Sequence, residues 1–167
     1  MGETNDILRV AVQADFPELM RLCRLLHEEN GQHSWSEEKV QALVWRGLNR
    51  QNAIVGVIGS SSDIKAMILI LVEPVSYSPE FQLFEQWNFV RKDARKSDFA
   101  KRMVEFGIRC SDETGLDLVI GVFSDIRLAA KQRLYRRILG SEAGFWYCHK
   151  PNRARLSGER KQGSNAA

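Results

Sequence analysis

The sequence contains no apolar run that approaches the ~20 residues a membrane-spanning helix needs. The segment from Met1 to Asp6 is polar and acidic, whereas a signal peptide would be basic and then apolar. Both absences predict a soluble protein of the cytoplasm that does not associate with membranes.

Cysteine and histidine are also scarce, at three residues each. The cysteines are far apart and lack the paired spacing of metal or redox sites, so we expect reduced thiols that fill the core. The histidines lack metal-ligand spacing, and we predict no metal site. The six residues are Cys23, Cys110, Cys148, His27, His33 and His149. The sequence also has no Ser-His-Asp arrangement, P-loop or dinucleotide fingerprint.

A length of 167 residues with 44% hydrophobic content predicts one globular domain. We place this domain at residues 1–150 and interpret residues 151–167 as a basic, disordered tail. The segment from Lys150 onward contains five basic residues and one acidic residue. Its net charge is therefore +4, in a chain whose total net charge is +3. A basic tail can attract nucleic acid, which is the sole support for a nucleic acid partner.

The hydrophobic patterns predict a mixed α/β fold with the order β-α-α-β-β-β-α-β-α-β. Strands alternate with helices in the second half, which indicates that part of the sheet is parallel. The strands are predicted at Ile7–Val12, Ala53–Gly59, Ile64–Val72, Phe81–Val90, Asp117–Phe123 and Gly144–His149. The predicted helix starts are Asp15, with a capping box to Glu18, then Ser36, Ser97 and Asp125, and the ends include Gly31, Gly115 and Gly140.

The segment from Val90 to Ala100 lies where a strand ends and a helix begins, the position at which anionic ligands bind in open α/β sheets. The first N–H groups of a helix have no intrahelical partner and point outward at its positive end. Positive charge is added there by four basic residues, Arg95, Lys96, Lys101 and Arg102. The segment therefore predicts either a site for a pyrophosphate-bearing ligand or a helix with a solvated basic first turn.

This segment resembles the acyl-CoA signature of the GNAT superfamily of N-acetyltransferases, Arg/Gln-x-x-Gly-x-Gly/Ala at a helix start. Arg95 and Ala100 match it at the correct separation, and Val90 lies at the strand end where the family has Val. Downstream, Leu134-Tyr135-Arg136-Arg137-Ile138-Leu139-Gly140 is similar to the family's fourth-helix motif. The resemblance extends over residues 7–149, and the segment pattern is similar to that of phage-encoded members.

Three positions depart from the family pattern. The central Gly is Asp98, the usual loop Pro is Lys92, and the Gly after the Arg is Lys96. An anion at Asp98 would repel a pyrophosphate unless its carboxylate turns toward the helix surface. The family also ends in a two-stranded hairpin, so the last strand is either missing or supplied by a partner copy, which leaves a homodimer open.

The resemblance implies a mostly antiparallel central sheet with about four flanking helices and with the fourth and fifth strands splayed. Acetyl-CoA, as the co-substrate, would lie between those strands and bond to the backbone near Phe89 and Val90. Amides from Lys96 to Lys101 would hold the pyrophosphate, and Arg95 would add charge. The full set is Phe89, Val90, Arg95, Lys96, Ser97, Asp98, Phe99, Ala100 and Lys101.

Two side chains are implied as catalytic. Tyr135 would protonate the leaving thiolate, or would instead pack over Leu128 and Ile138. Glu85, which strand alternation places on one face with Trp87 and Phe89, would be the base, or a solvent-facing glutamate.

Two weaker candidates complete the site. Glu73 is a weaker candidate for the base, and His33 is either a substrate contact or a surface-loop residue.

The resulting prediction is transfer of an acetyl group from acetyl-CoA to a primary amine of a protein or small molecule by direct attack. The first alternative is a GNAT-derived binding protein that has lost efficient catalysis and contacts a host protein. The second is a modifier of nucleic acid that uses the tail. The sequence does not name the acceptor.

Overall fold

The computed structural model describes residues 6–31, 33–122 and 128–140. The predicted element order is confirmed as far as the fourth helix. The helices are α1 (Phe16–Asn30), α2 (Glu37–Leu48), α3 (Phe99–Thr114) and α4 (Leu128–Leu139). The strands are β1 (Leu8–Val10), β2 (Ala53–Ser60), β3 (Asp63–Pro74), β4 (Phe81–Val90) and β5 (Leu118–Val119). The predicted strand at Gly144–His149, the cap at Asp125 and the tail lie outside the described residues.

The five strands form one sheet in the order β1-β2-β3-β4-β5. All neighbours are antiparallel except β4 and β5, which are parallel and pair only at Leu83–Leu118 and Phe84–Val119. The strand predicted at Asp117–Phe123 is therefore much shorter than expected. Among the described residues, β4 continues beyond Phe84 without a strand partner on that side, so the sheet opens between β4 and β5.

A β-bulge in β4 lies close to this opening. Leu69 pairs with Trp87, but the next residue of β3, Ile70, pairs with Glu85, which leaves one extra residue in β4. Trp87 and Phe89 pack in the core cluster beneath α1 and α2, whereas Ile70 packs in the cluster beneath α3. The alternation that predicted a common face for Glu85, Trp87 and Phe89 is thus interrupted between Glu85 and Trp87.

The core consists of two clusters, one on each face of the sheet. Val44 and Leu48 of α2 are buried against one face, as their helical spacing predicted. Met103 and Phe106 of α3 are buried against the other face. This layering fixes the C-terminal end of α1 and the start of α3 relative to the end of β4.

Asp15 holds the predicted N-cap position of α1, but the predicted capping contacts of its side chain are wrong. Asp15 precedes α1, but its side chain makes no cap hydrogen bond. It is fully buried and accepts two hydrogen bonds from Arg9, at 2.7 and 2.8 Å, and one from the Val12 amide at 2.7 Å. Glu18, the expected capping-box partner, pairs with Arg21 instead. A buried carboxylate needs its charge compensated, and Arg9 on β1 provides this.

Candidate active site

The connection from β4 to α3 is a tight basic turn. After Val90 the chain forms a 3-10 turn over Lys92–Ala94, and α3 begins at Phe99. The cap predicted at Ser97 is one residue early, because Asp98 holds the N-cap position. The Ser97 hydroxyl donates to the Ala94 carbonyl at 2.6 Å and accepts from the Phe99 amide at 3.3 Å, so it stabilises the turn that leads into the helix.

Arg95 lies across the end of β4. Its Nε donates to the Val90 carbonyl at 3.0 Å, and its guanidinium lies 5.7 Å from the centre of the Phe89 ring. The same guanidinium forms an ion pair with Glu29, near the C-terminal end of α1. Both side chains of this pair are largely buried, at 19% and 24% exposure. Arg95 is thus held beside the start of α3 by a carboxylate of the protein itself.

Asp98, the departure from the predicted signature, lies on the helix surface. Its side chain is 65% exposed, and one carboxylate oxygen is 3.8 Å from a guanidinium nitrogen of Arg102, one turn further along α3. Its backbone has a φ of −85° and a ψ of 8°, angles that do not require glycine. The carboxylate therefore points toward Arg102, the orientation that relieves repulsion of an anion at the helix start.

A first cavity, of about 170 Å³, lies between the end of β4, the start of α3 and α4. Five of the nine predicted donor-site residues border it: Phe89, Val90, Arg95, Ser97 and Ala100. Of the other four, Lys96, Asp98 and Lys101 are exposed at the helix start, and the Phe99 side chain is buried in the core. The Arg102 amide donates to the Asp98 carbonyl, which is the first hydrogen bond of the helix. By helix geometry, the Ala100 and Lys101 amides come before this bond and have no partner within the helix.

Tyr135 and Glu85 meet beside this cavity. The Tyr135 hydroxyl donates to a Glu85 carboxyl oxygen at 3.4 Å and accepts from the Asn88 side-chain amide at 3.3 Å. The Tyr135 oxygen therefore lies within hydrogen-bonding distance of two polar groups of β4.

Burial governs the protonation of this group. It raises the pKa of Glu85 to about 8, while the nearby Lys131 ammonium and the Tyr135 hydroxyl act in the opposite direction. Burial, and then the charge of Glu85, raise the pKa of Tyr135 well above its usual value. Burial lowers the pKa of Lys131, against the attraction of Glu85. At neutral pH, Tyr135 thus keeps its proton, whereas Glu85 is mostly protonated and is ionised in a smaller fraction of the molecules.

A second cavity, of about 370 Å³, lies beside the turn between α1 and α2. Glu85 and Trp87 border it from β4, and Trp35 borders it from the turn. It meets the first cavity at three shared residues: Asn30, Asn88 and Lys131. Two ligands could therefore approach each other from the two cavities, with Tyr135 on one side of the junction and Glu85 on the other.

Several solved structures that are similar to this chain are named as acetyltransferases. A ribosomal-protein-alanine N-acetyltransferase from Brucella melitensis biovar Abortus 2308 is 14% identical over 87% of this chain and 97% of its own, with a TM-score of 0.65. The aminoglycoside enzyme AAC(6')-Iy, bound to a bisubstrate analogue of CoA, is 11% identical over 87% and 97%, with a TM-score of 0.68. An integron cassette protein from the mobile metagenome of Cole Harbour Salt Marsh is 15% identical over 90% and 93%, with a TM-score of 0.68.

The chain has the GNAT fold. The predicted fold class, a mostly antiparallel sheet with splayed fourth and fifth strands, is confirmed. No family model and no curated protein matches the sequence.

On the GNAT fold, two weaker predictions for the acceptor side can be placed. Glu73 lies at the far end of β3, where it pairs with Arg46 at 3.5 Å and borders neither cavity. The His33 side chain also borders neither cavity, while its backbone carbonyl bonds to the His27 ring nitrogen at 2.8 Å. The structure thus places Glu85, and neither of these residues, at the junction.

Sequence reasoning missed three polar residues of the site on this GNAT fold: Glu29, Asn88 and Lys131. Lys131 could have been found, because it lies four residues before Tyr135 and therefore on the same side of α4. Glu29 carried no signal, since its role depends on how closely the end of α1 approaches the basic turn.

The described residues contain no group of three or more His, Cys, Asp or Glu side chains that could hold a metal ion. Within those same ranges, none of the helices combines the length and the apolar character needed to cross a bilayer.

Proposed function

We propose that this protein is an N-acetyltransferase that transfers the acetyl group of acetyl-CoA to a primary amine. The observation that supports this most directly is the meeting of the two cavities at a Tyr135–Glu85 pair, on a fold shared with acetyltransferases. Acetyl-CoA would occupy the first cavity, and the amine would occupy the second.

The residues of the first cavity fit an acyl-CoA. The splayed end of β4 at Phe89 and Val90 can bond to the amide groups of an extended arm. The amides at the start of α3 and the Arg95 guanidinium can bind a pyrophosphate. The cavity between these features runs to Tyr135, so a donor thioester bound there would lie near the phenol.

The transfer needs one bond formed and one broken. The amine nitrogen attacks the acetyl carbon, the carbon–sulfur bond breaks, and the sulfur leaves as a thiolate. Tyr135 donates its proton to this thiolate, and the Glu85 carboxylate takes the proton that the nitrogen loses. Because the two side chains are hydrogen bonded, the proton on Glu85 can then pass to the tyrosinate, and both groups return to their starting states.

Calorimetric titration of acetyl-CoA tests the donor site. We expect saturable binding, and we expect Arg95→Ala to weaken it by about tenfold or more, because a charge-assisted hydrogen bond contributes roughly 1.5–3 kcal/mol. Arg109→Ala is the matched control, since Arg109 is exposed on α3 and borders neither cavity. Absence of binding at millimolar acetyl-CoA would contradict the proposal.

One observation favours the alternative, a binding protein that uses the GNAT fold without efficient catalysis. Glu29 borders the cavity, and its carboxylate already pairs with Arg95. If acetyl-CoA cannot displace it, the donor site is blocked by the protein itself. Tyr135→Phe separates the two functions, because it should reduce catalysis and leave partner binding unchanged.

Glu29→Gln should tighten acetyl-CoA binding by about tenfold, since it removes an anion from the cavity and releases Arg95 for the pyrophosphate. The matched control is Glu28→Gln, which removes the same charge from an exposed residue that borders neither cavity. Equal affinities for both variants would show that Glu29 does not compete with the ligand.

The proposal also includes the other predictions made from the sequence. They are a cytoplasmic location, a phage origin, a domain boundary at residue 150, a homodimer and a nucleic acid contact by the tail.

A further inference from the structure

The charges that border the second cavity are mainly positive. Lys39, in the first turn of α2, and Lys131, on α4, both border it. Burial lowers the pKa of Lys131, against the attraction of Glu85, whereas Lys39 is exposed. The only carboxyl group among the described lining residues is that of Glu85. This group is largely protonated below its pKa of about 8.

The other titratable groups near the cavity do not reverse this balance. Cys23 borders it, but burial raises the pKa of its thiol to about 12, so it is neutral. His27 bonds to a backbone carbonyl and cannot add negative charge. Glu37 lies close by, but its carboxylate is bonded to Arg24 and to the Trp35 indole.

The apolar part of the lining is aromatic and aliphatic. Trp35 and Trp87 contribute indole rings, and Leu26 and Val40 contribute aliphatic side chains, all of them partly buried. Such a surface binds an apolar body of modest size. The cavity thus combines an apolar wall, two cations, and a carboxyl group beside the first cavity.

We infer that the acceptor is a small amine that also carries a carboxylate and an apolar side chain, as in a free hydrophobic amino acid. This inference rests on the proposed function. Its amine would approach Glu85, and its carboxylate would pair with Lys39, the exposed lysine at the other side of the lining. A polyamine would instead place several ammonium groups beside the two lysines, an arrangement that like-charge repulsion disfavours.

The test compares phenylalanine, phenethylamine and spermidine as acceptors, with CoA release as the readout. Phenylalanine and phenethylamine differ only in the carboxylate. We expect kcat/KM to be at least tenfold higher for phenylalanine than for phenethylamine, and lowest for spermidine. Calorimetric titration of the same three compounds should give the same order of affinity, and this readout does not depend on catalysis.

Lys39→Glu should remove the preference for phenylalanine over phenethylamine or reverse it. The variant should fold, because Lys39 is exposed in the first turn of α2, where a glutamate is favourable. Lys92→Glu is the matched control, since Lys92 is exposed and borders neither cavity, and it should keep the preference.

Each outcome decides one of the two claims. A preference for phenethylamine or spermidine, or no difference between Lys39→Glu and Lys92→Glu, would overturn the inference and leave the proposed function intact. Failure of all three compounds to bind, while acetyl-CoA still binds, would also overturn the inference. Absence of acetyl-CoA binding would instead overturn the proposed function.

Discussion

Tyr135→Phe should lower the turnover number for acetyl transfer by on the order of 100-fold, the lower end of what a positioned general acid contributes. The substitution removes one oxygen and keeps the ring that borders the first cavity. Without the hydroxyl, the thiolate would have to leave unprotonated or take its proton from water. The measurement is CoA release at saturating acetyl-CoA, with the best acceptor found among the three compounds above.

The binding of acetyl-CoA to Tyr135→Phe should change little, because the effect belongs to the chemical step. Tyr77→Phe provides the matched control, since Tyr77 is 92% exposed in the turn between β3 and β4. An unchanged turnover number in Tyr135→Phe would mean that the phenol only packs and bonds to Asn88 and Glu85. A parallel loss in Tyr77→Phe would point to a general effect on folding.

Glu85→Gln should lower kcat/KM about 100-fold at pH 8 and above, because glutamine cannot accept a proton. This loss is similar in size to the one expected for Tyr135→Phe. The pH profile gives the sharper test. The base works as a carboxylate, and burial raises its pKa to about 8, so about one tenth of it is ionised at pH 7. Once the rate is divided by the fraction of neutral acceptor amine, kcat/KM should therefore rise about tenfold for each pH unit below 8 and level off above it.

The same profile of the Glu85→Gln variant should lack the break near pH 8 and show only the ionisation of the acceptor amine. Glu73→Gln is the matched control, because Glu73 also lies on the sheet but pairs with Arg46 and borders neither cavity. A wild-type profile that is flat between pH 6 and 9 would exclude Glu85 as the base.

The sequence predicted the elements that bury an apolar face, because their periodicity depends on local geometry alone. The α1 segment over Phe16–Asn30 and β4 over Phe81–Val90 have the bounds that their patterns indicated. The cap of α3 was displaced by one residue, since Ser97 and Asp98 are both good caps and the turn contact to Ala94 decides between them.

The site was harder to predict than the fold. The predicted donor-site residues all lie within residues 89–101. A single segment of the sequence therefore identified five residues that border the first cavity. The bulge between Glu85 and Trp87 has no signature in the residues themselves, and it changes which groups Glu85 can reach. The Glu29–Arg95 pair joins residues that are distant in the chain, and only the packing of α1 against the sheet brings them together.

The division of the site between two sets of elements has a consequence for how such a protein can diversify. The first cavity is bordered by the end of β4 and the start of α3, which also carry core residues. Substitutions there would therefore also tend to destabilise the fold. The wall of the second cavity comes in part from the turn between α1 and α2, at residues such as Ser34 and Trp35. Selection could rebuild that turn for a new ligand while the first cavity and the Tyr135–Glu85 pair stay intact.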